Sequence, residues 1–506
     1  MSSTQALVIA EKMFSHAVFK EVDKQQLVDR FDVSGLIQQV NLDYGVITGQ
    51  QLQTETEISS IPPQGIVINT PGLYRFSQDI FWAPVAGPAA AISICADNVT
   101  LDLAGFSLSA TVQDSSQHIS GIVVSNATGV SIENGTLLNM GMYGVRADQV
   151  QQLTLAKLLI SGLQCHNLNI RNLSPAGIHL NQGSGISIMD CIVQYMFVTA
   201  DSSAGIQLLH IKDAVVSGCQ VRHLINYDGS VQGYSYLCCT DVSTFNCNAE
   251  HFQSLFGGNI RTGGHTVLGF IPIFCADLIY DQCSASYMTG CSDDCHGMSV
   301  FLDVGVKVSH FTARHITDGV TAAHTGAKAT GLEVYGVAVS VSHCTVEQIK
   351  AINPQDKQST GFSAWGLGIS FNDCKASKVV VCDEYGNLNT ELGYGTGFGW
   401  APDPRIPFRQ IGAVWVSYKN CHAEHCQVGF DTWFHIDSSW LDIHHPCCDI
   451  AVLVQPGQSR VLSGNPASEC NPPIQIAIKN IASGNTYPEH IFNEVVQGIK
   501  WELSSL

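Results

Sequence analysis

The run "GCSDDCHGMS", residues 290–299, places two adjacent carboxylates, Asp293 and Asp294, just ahead of an imidazole, His296. Carboxyl groups in unlike surroundings can divide into an acid and a base, the division on which glycosidic cleavage depends. Two further runs supply groups that could hold a substrate. "HITDGVTAAHTGAKATG" (315–331) carries Asp318, His324 and Lys328. "CDEYGNLNTELGYGTGFGWAPDPRIPF" (382–408) carries Asp383, Glu384, Tyr394, Trp400, Asp403 and Arg405. The rings of Tyr394 and Trp400 suit a sugar face, and Arg405 could grip a carboxylate in a fork. Asp293, Asp294 and His296 are therefore the catalytic candidates. Lys328, Tyr394, Trp400, Asp403 and Arg405 are the substrate-binding candidates. The plainer alternative makes Asp293 and Asp294 a solvated corner that opens a turn, with His296, Asp318 and Lys328 as hydrogen-bond partners within loops.

Other chemistries lack a pattern. The stretch "DTWFHIDSSWLDIHHPCCD" (431–449) offers His435, Asp437, His444, His445 and Cys447, but no CxxC or HExxH spacing, so no metal site is expected. "GTGFGWAP" (395–402) has the glycines of a phosphate loop without its lysine or its strand-to-helix setting. No cofactor is expected.

The elements that position these groups follow from a repeat. A glycine precedes a fixed end position by fourteen residues in Gly121–Gly135, Gly144–Leu158, Gly177–Cys191, Gly205–Cys219, Gly233–Cys247, Gly269–Cys283 and Gly297–Phe311. Later copies end at Cys344, Cys374 and Cys421, and a last one near Ile481. Five and three residues before the end stand apolar pairs such as Ile186/Ile188, Val306/Val308 and Ile369/Phe371, with Ser187, Lys307 and Ser370 between them. Period-two alternation marks a strand with one buried face. The residue before the end is turn-like (Asn134, Asp190, Gly218, Asn246, His310, Asp373, Asn420), and Asn, Asp and Gly tolerate the left-handed backbone of a sharp corner.

Two residues after the end comes a small apolar column, Val193, Val221, Ala249, Ala285, Ala313, Val346, Ala376 and Ala423. Each copy thus holds three short strands separated by corners, and the next copy stacks on it. The predicted fold is all-β, a single-stranded right-handed parallel β-helix solenoid of about 11–12 coils over residues 61–485. Short helical caps are expected in 1–60, from the spacing of Leu7, Ala10, Phe14, Val18 and Val22, and in 486–506. Seven end-position cysteines fall in one inward column, where they read as small polarisable core filler, since Phe311 and Leu158 share the slot.

Extra residues enter almost always between the third strand and the next glycine. Insertions at one corner of successive coils line one edge of the rod, so the 290–299, 315–330 and 382–407 loops should border a lateral groove.

Composition narrows the partners. The chain has 506 residues with 24 Lys+Arg against 43 Asp+Glu and no basic block, which argues against nucleic acid. An acidic chain also repels acidic polysaccharides unless a local cationic site overrides its field. No run reaches the ~18 apolar residues of a membrane span. The N-terminus shows no basic n-region or long apolar core, so the expectation is a product made in the cytoplasm without a signal peptide and built into a particle or surface assembly.

The stretch 61–110, "IPPQGIVINTPGLYRFSQDIFW" through "NVTLDLAGFSL", resembles the opening coils of right-handed parallel β-helix repeat proteins of the pectate-lyase-like superfamily. The resemblance implies the fold and leaves the activity open, because that fold hosts lyases, hydrolases, epimerases, tailspikes and plain rods. "DDC" followed by "HG" is similar to two polygalacturonase motifs, but only His296 separates Cys295 from Gly297, whereas that family keeps the motifs a coil apart. Its third carboxylate motif and its Arg-x-Lys element have no counterpart. The expected function is a non-catalytic structural or recognition rod that interacts with glycans and self-associates. The rival is a polysaccharide hydrolase or lyase working in the lateral groove.

Overall fold

The computed structural model describes residues 55–453, apart from 85–88, 112–118, 167–173, 228, 256–265, 291–293, 320–327, 353–358, 384, 386, 389–394, 400–412, 432–438, 442, 445–446 and 449. Among these residues the chain is all strand and turn, and every pairing between strands is parallel. Of the caps expected in 1–60 and 486–506, residues 1–54 and 486–506 lie outside the described residues, as does the coil expected near Ile481, while residues 55–60 are strand and irregular backbone rather than helix. The first described strand, Glu55–Ile58, pairs with Gly72–Phe76.

The backbone winds around one axis as a parallel β-helix, and like positions pile into columns. The residue three before each end position runs Ile132, Leu155, Ile188, Val216, Thr244, Tyr280, Val308, Val341, Phe371, Tyr418 through successive partners. A second inward column runs Ile178, Ile206, Tyr234, Phe270, Met298, Leu332, Phe362, Phe398, Phe430. Its rings stack, Tyr234 on Phe270 at 4.6 Å and Phe362 on Phe398 at 4.8 Å. Those distances match the interstrand spacing, so where aromatics occupy adjacent rungs their rings stack face to face in the core.

The cysteine column is real and buried. Gln220 N–H donates to Cys191 O, Asn248 N–H to Cys219 O, and Ser284 N–H to Cys247 O, at 2.9–3.0 Å, so these end positions stack rung upon rung. Cys191, Cys219, Cys247, Cys283, Cys344, Cys374 and Cys421 are free thiols with at most 1% exposure. The corner before them is left-handed as expected, with φ of 57° at Asn134, 53° at Asp190, 52° at Asn246 and 50° at Asn420.

The glycine that opens each repeat has a packing cause. A Cβ on Gly177 would stand 2.4 Å from Val193, on Gly205 2.2 Å from Val221, and on Gly269 2.8 Å from Ala285. The first strand presses directly against the small column two residues past the end, and only glycine fits there.

Strand boundaries place the long connections at one point of the coil. They join Asn248–Ser254 to Thr266–Ile273, Thr312–Asp318 to Ala329–Val337, Thr345–Ile352 to Ser359–Leu367, and Lys375–Cys382 to Gly395–Gly399.

Candidate functional site

Three of the nominated residues come together at this edge. Asp294 and His296 open the strand Asp294–Val304, and Lys328 directly precedes its neighbour Ala329–Val337. Cys295 N–H donates to Lys328 O at 2.9 Å, which ties the two strand starts. Asp294, His296 and Lys328 are 4%, 3% and 1% exposed, so none of them lines an open cleft. Asp293, Tyr394, Trp400, Asp403 and Arg405 lie outside the described residues, as do His324 and Glu384. Asp383 is described and holds a tight turn, its Oδ1 accepting the N–H of Tyr385 at 3.0 Å and of Asn387 at 2.8 Å.

The residue that joins the cluster is Glu333, which sequence reasoning missed. Its Oε1 pairs with Lys328 Nζ, and its Oε2 accepts Ser299 Oγ–H at 3.0 Å and lies 3.0 Å from His296 Nδ1. The other ring nitrogen of His296, Nε2, stands 3.9 Å from Asp294 Oδ1. A single imidazole therefore separates two carboxylates. Burial works to raise the Glu333 carboxyl, but the Lys328 ammonium and His296 outweigh it and hold the group well below the usual carboxylate range. Asp318, fully buried, accepts the Lys328 backbone N–H at 2.8 Å through Oδ2. The signal for Glu333 was available: it sits two residues past the repeat glycine Gly331, as Ser299 does past Gly297 and Ser363 past Gly361.

Those two-past-glycine residues form an outward row, Ser299, Glu333, Ser363, through successive partners. Two residues further along each strand runs an aromatic row, Phe301, Tyr335, Trp365, in the same register. Phe301 meets Tyr335 edge-on at 5.1 Å, and Tyr335 stacks on Trp365 at 3.9 Å. Phe301 and Trp365 are partly exposed. A β-strand projects i and i+2 to one face, so these side chains share one face of the sheet, where Ser299, Ser363 and Tyr335 are buried and Phe301, Glu333 and Trp365 are partly exposed. Among the described residues no group of three or more His, Cys, Asp or Glu is placed to hold a metal ion. No helix among them is long and apolar enough to cross a membrane.

A second aromatic row occupies another edge, four residues past the end positions. Tyr195, His223, His251, Tyr287 and His315 stack at 4.9, 4.8, 4.9 and 4.6 Å, with planes within 8° of parallel. All five have φ between 54° and 59°. The fixed offset from the end position could have revealed this column, but its mixed His and Tyr content hid it from a search for apolar periodicity.

No family model matches this chain, and no curated protein matches it in sequence. Among solved structures it is similar to a tailspike protein mutant of E. coli bacteriophage HK620 in complex with pentasaccharide, at 9% identity over 76% of this chain and 67% of that one, TM-score 0.40. It is similar to the A-module of an Azotobacter vinelandii mannuronan C-5 epimerase, at 10% identity over 80% and 90% of the two chains, TM-score 0.35. It is also similar to a Geobacillus virus E2 protein, at 9% identity and TM-score 0.32, with 54% of this chain covering half of that one. These are likenesses of fold.

Proposed function

We propose that the protein is a rigid, non-catalytic recognition rod that binds glycans on the outward face of its lateral edge. The observation that carries this reading is the partly exposed group Glu333, Phe301 and Trp365, set on the buried framework of the parallel rows Ser299–Glu333–Ser363 and Phe301–Tyr335–Trp365. Alternating hydrogen-bonding and aromatic groups on a rigid surface match a sugar, which presents hydroxyls at its rim and C–H groups on its faces. The non-catalytic part rests on how the nominated acid–base groups are engaged. Lys328 is paired with Glu333, Glu333 is held ionised, and Asp294 and His296 are buried with them. A general acid needs a raised pKa and a path to the leaving oxygen, and Glu333 is displaced in the opposite direction. Self-association and a place in a particle or surface assembly belong to the same reading, as the use of a long stiff rod.

One observation favours the rival, a polysaccharide hydrolase or lyase. His296 lies between the carboxylates of Asp294 and Glu333, a constellation suited to moving a proton from one to the other.

A glycan array combined with a reducing-sugar assay separates the two. The recognition reading expects retention of a glycan set by wild type, loss of at least tenfold in affinity in Trp365→Ala, and no new reducing ends. Release of reducing ends or unsaturated products by wild type, abolished in Asp294→Asn, overturns it in favour of the enzyme.

A further inference from the structure

The Tyr195–His315 stack has an unusual surface chemistry. Each ring's faces look at its neighbours along the rod, at one rung's separation, so what meets solvent is the ring edges. Tyr195 and Tyr287 are 44% and 51% exposed, and His251 and His315 are exposed as well. A stack whose faces are covered is a poor platform for a sugar ring. It is a good row of polar edges, with imidazole nitrogens and phenol oxygens recurring every ~4.8 Å.

The charges around the stack decide its sign. The residue preceding each ring, on the same strand, supplies Arg222, Glu250 and Arg314, and the next coils add Glu347 and Lys378. Arg314 Nε lies 3.6 Å and Lys378 Nζ 3.2 Å from Glu347, while Arg222 Nε donates to Gln194 at 2.8 Å. With neutral imidazoles this strip carries one more cation than carboxylates. Protonation of His223, His251 and His315 adds three positive charges along a single line. Burial, His251 and Arg222 together lower the His223 pKa against the pull of Glu250, so the row charges below the ordinary imidazole range at that rung. Elsewhere the chain is acidic, with a formal net charge of −19.

We propose that the Tyr195–His223–His251–Tyr287–His315 stack is a proton-gated rail for an acidic polysaccharide, lying along the rod axis with its carboxylates against the imidazole edges. This rests on the glycan-binding reading and adds a second surface, a ligand class and a condition for binding. A uronic-acid polymer carries one carboxylate per sugar and so brings a repeating row of anions to such a line of cations. Near neutrality the field of the whole chain repels such a polymer, and in mild acid the local row overrides it.

The test uses the full chain with polygalacturonate and, as a neutral control, dextran, each at pH 5.5 and 7.5 in fixed low salt. Gln348 already occupies the next position of the same column at φ 59°, so His→Gln is sterically acceptable there. Wild type is expected to bind polygalacturonate at least tenfold more tightly at pH 5.5. The double variant His251→Gln/His315→Gln is expected to lose that gain while keeping its melting temperature. Equal binding at both pH values, or an unchanged pH gain in the folded double variant, overturns the rail. If dextran is bound at both pH values while polygalacturonate shows no acid gain, the rail falls and the glycan reading stands. If neither polymer binds and the glycan array is blank, both fall. Equal acid-dependent binding of an oligothymidylate of the same length would overturn the assignment to polysaccharide.

Discussion

Lys328 and Glu333, five residues apart, meet as an ion pair whose lysine side chain is only 2% exposed. The lysine enters from the connection before the strand Ala329–Val337 and the glutamate projects from within it, so one coil start is clasped to its own outward face. The pair also holds His296 and Ser299 of the preceding coil through the second carboxylate oxygen.

Removing one partner leaves the other buried without its counter-charge. Lys328→Met is therefore expected to destabilise the protein by about 3 kcal/mol, and Lys328→Met/Glu333→Leu to recover most of that loss. Urea unfolding of the single and double variants checks this. Additive losses would show that the two residues do not act as a pair.

The same pair predicts a pH dependence with a definite sign. The folded Glu333 carboxyl titrates well below its ordinary 4.5, so the unfolded chain binds its proton first as pH falls. Its stabilising contribution is whole above about pH 4.5 and is lost progressively below that. Asp303 runs the other way, because burial raises its carboxyl well above 3.8 against two backbone N–H donors, Cys275 at 2.5 Å and Phe301 at 2.9 Å. Its contribution is whole below about pH 3.8 and is lost as pH rises through its raised folded value. Melting temperatures across pH 3–7 should steepen in acid for wild type relative to Glu333→Gln, and Asp303→Asn should remove the opposing slope.

The first three thiols of the cysteine column, Cys191, Cys219 and Cys247, should be inert to thiol reagents in the folded protein. At Cys247 a hydrogen bond with Cys219 lowers the thiol, but the bond with Cys283 and burial outweigh it and push it up to about 12. Cys191 is raised by its bond with Cys219 and by burial, and Cys219, though lowered by its bond with Cys191, is raised overall by its bond with Cys247 and by burial. Thiolates are the reactive form, so these three buried thiols should resist alkylation until the chain unfolds, while exposed Cys95 reacts at once. Mass mapping after a brief iodoacetamide pulse tests this, and labelling of Cys219 or Cys247 before Cys95 would contradict it.

Gly233 tests the reason for the repeat glycine. A Cβ there would stand 2.4 Å from the Gly269 carbonyl oxygen and 2.7 Å from the Phe252 ring. Gly233→Ala should cost about 1–3 kcal/mol through forced shifts of the neighbouring rung. Thermal unfolding should separate it clearly from Gly368→Ala, whose Cβ meets nothing closer than 3.9 Å and which has only its positive φ of 67° to overcome.

The winding, the columns and the left-handed corners were legible in the sequence itself. They depend on size and polarity at fixed offsets: Ile188, Val216 and Val341 are interchangeable as core, and Asp190 and Asn420 as corners. A repeat also tells which residues share an edge, which is how Asp294, His296 and Lys328 were nominated together. It does not tell which side chains on that edge meet. That depends on where each inserted connection delivers its last residue, as at Lys328, and on which rung offers a partner, as at Glu333. Neither is periodic, because connections of unequal length are constrained only at their ends. The His and Tyr stack was hidden for a related reason: its members share a position and a shape but no single letter. Only the winding of the chain, which sets their rings one strand spacing apart, makes a continuous surface of them.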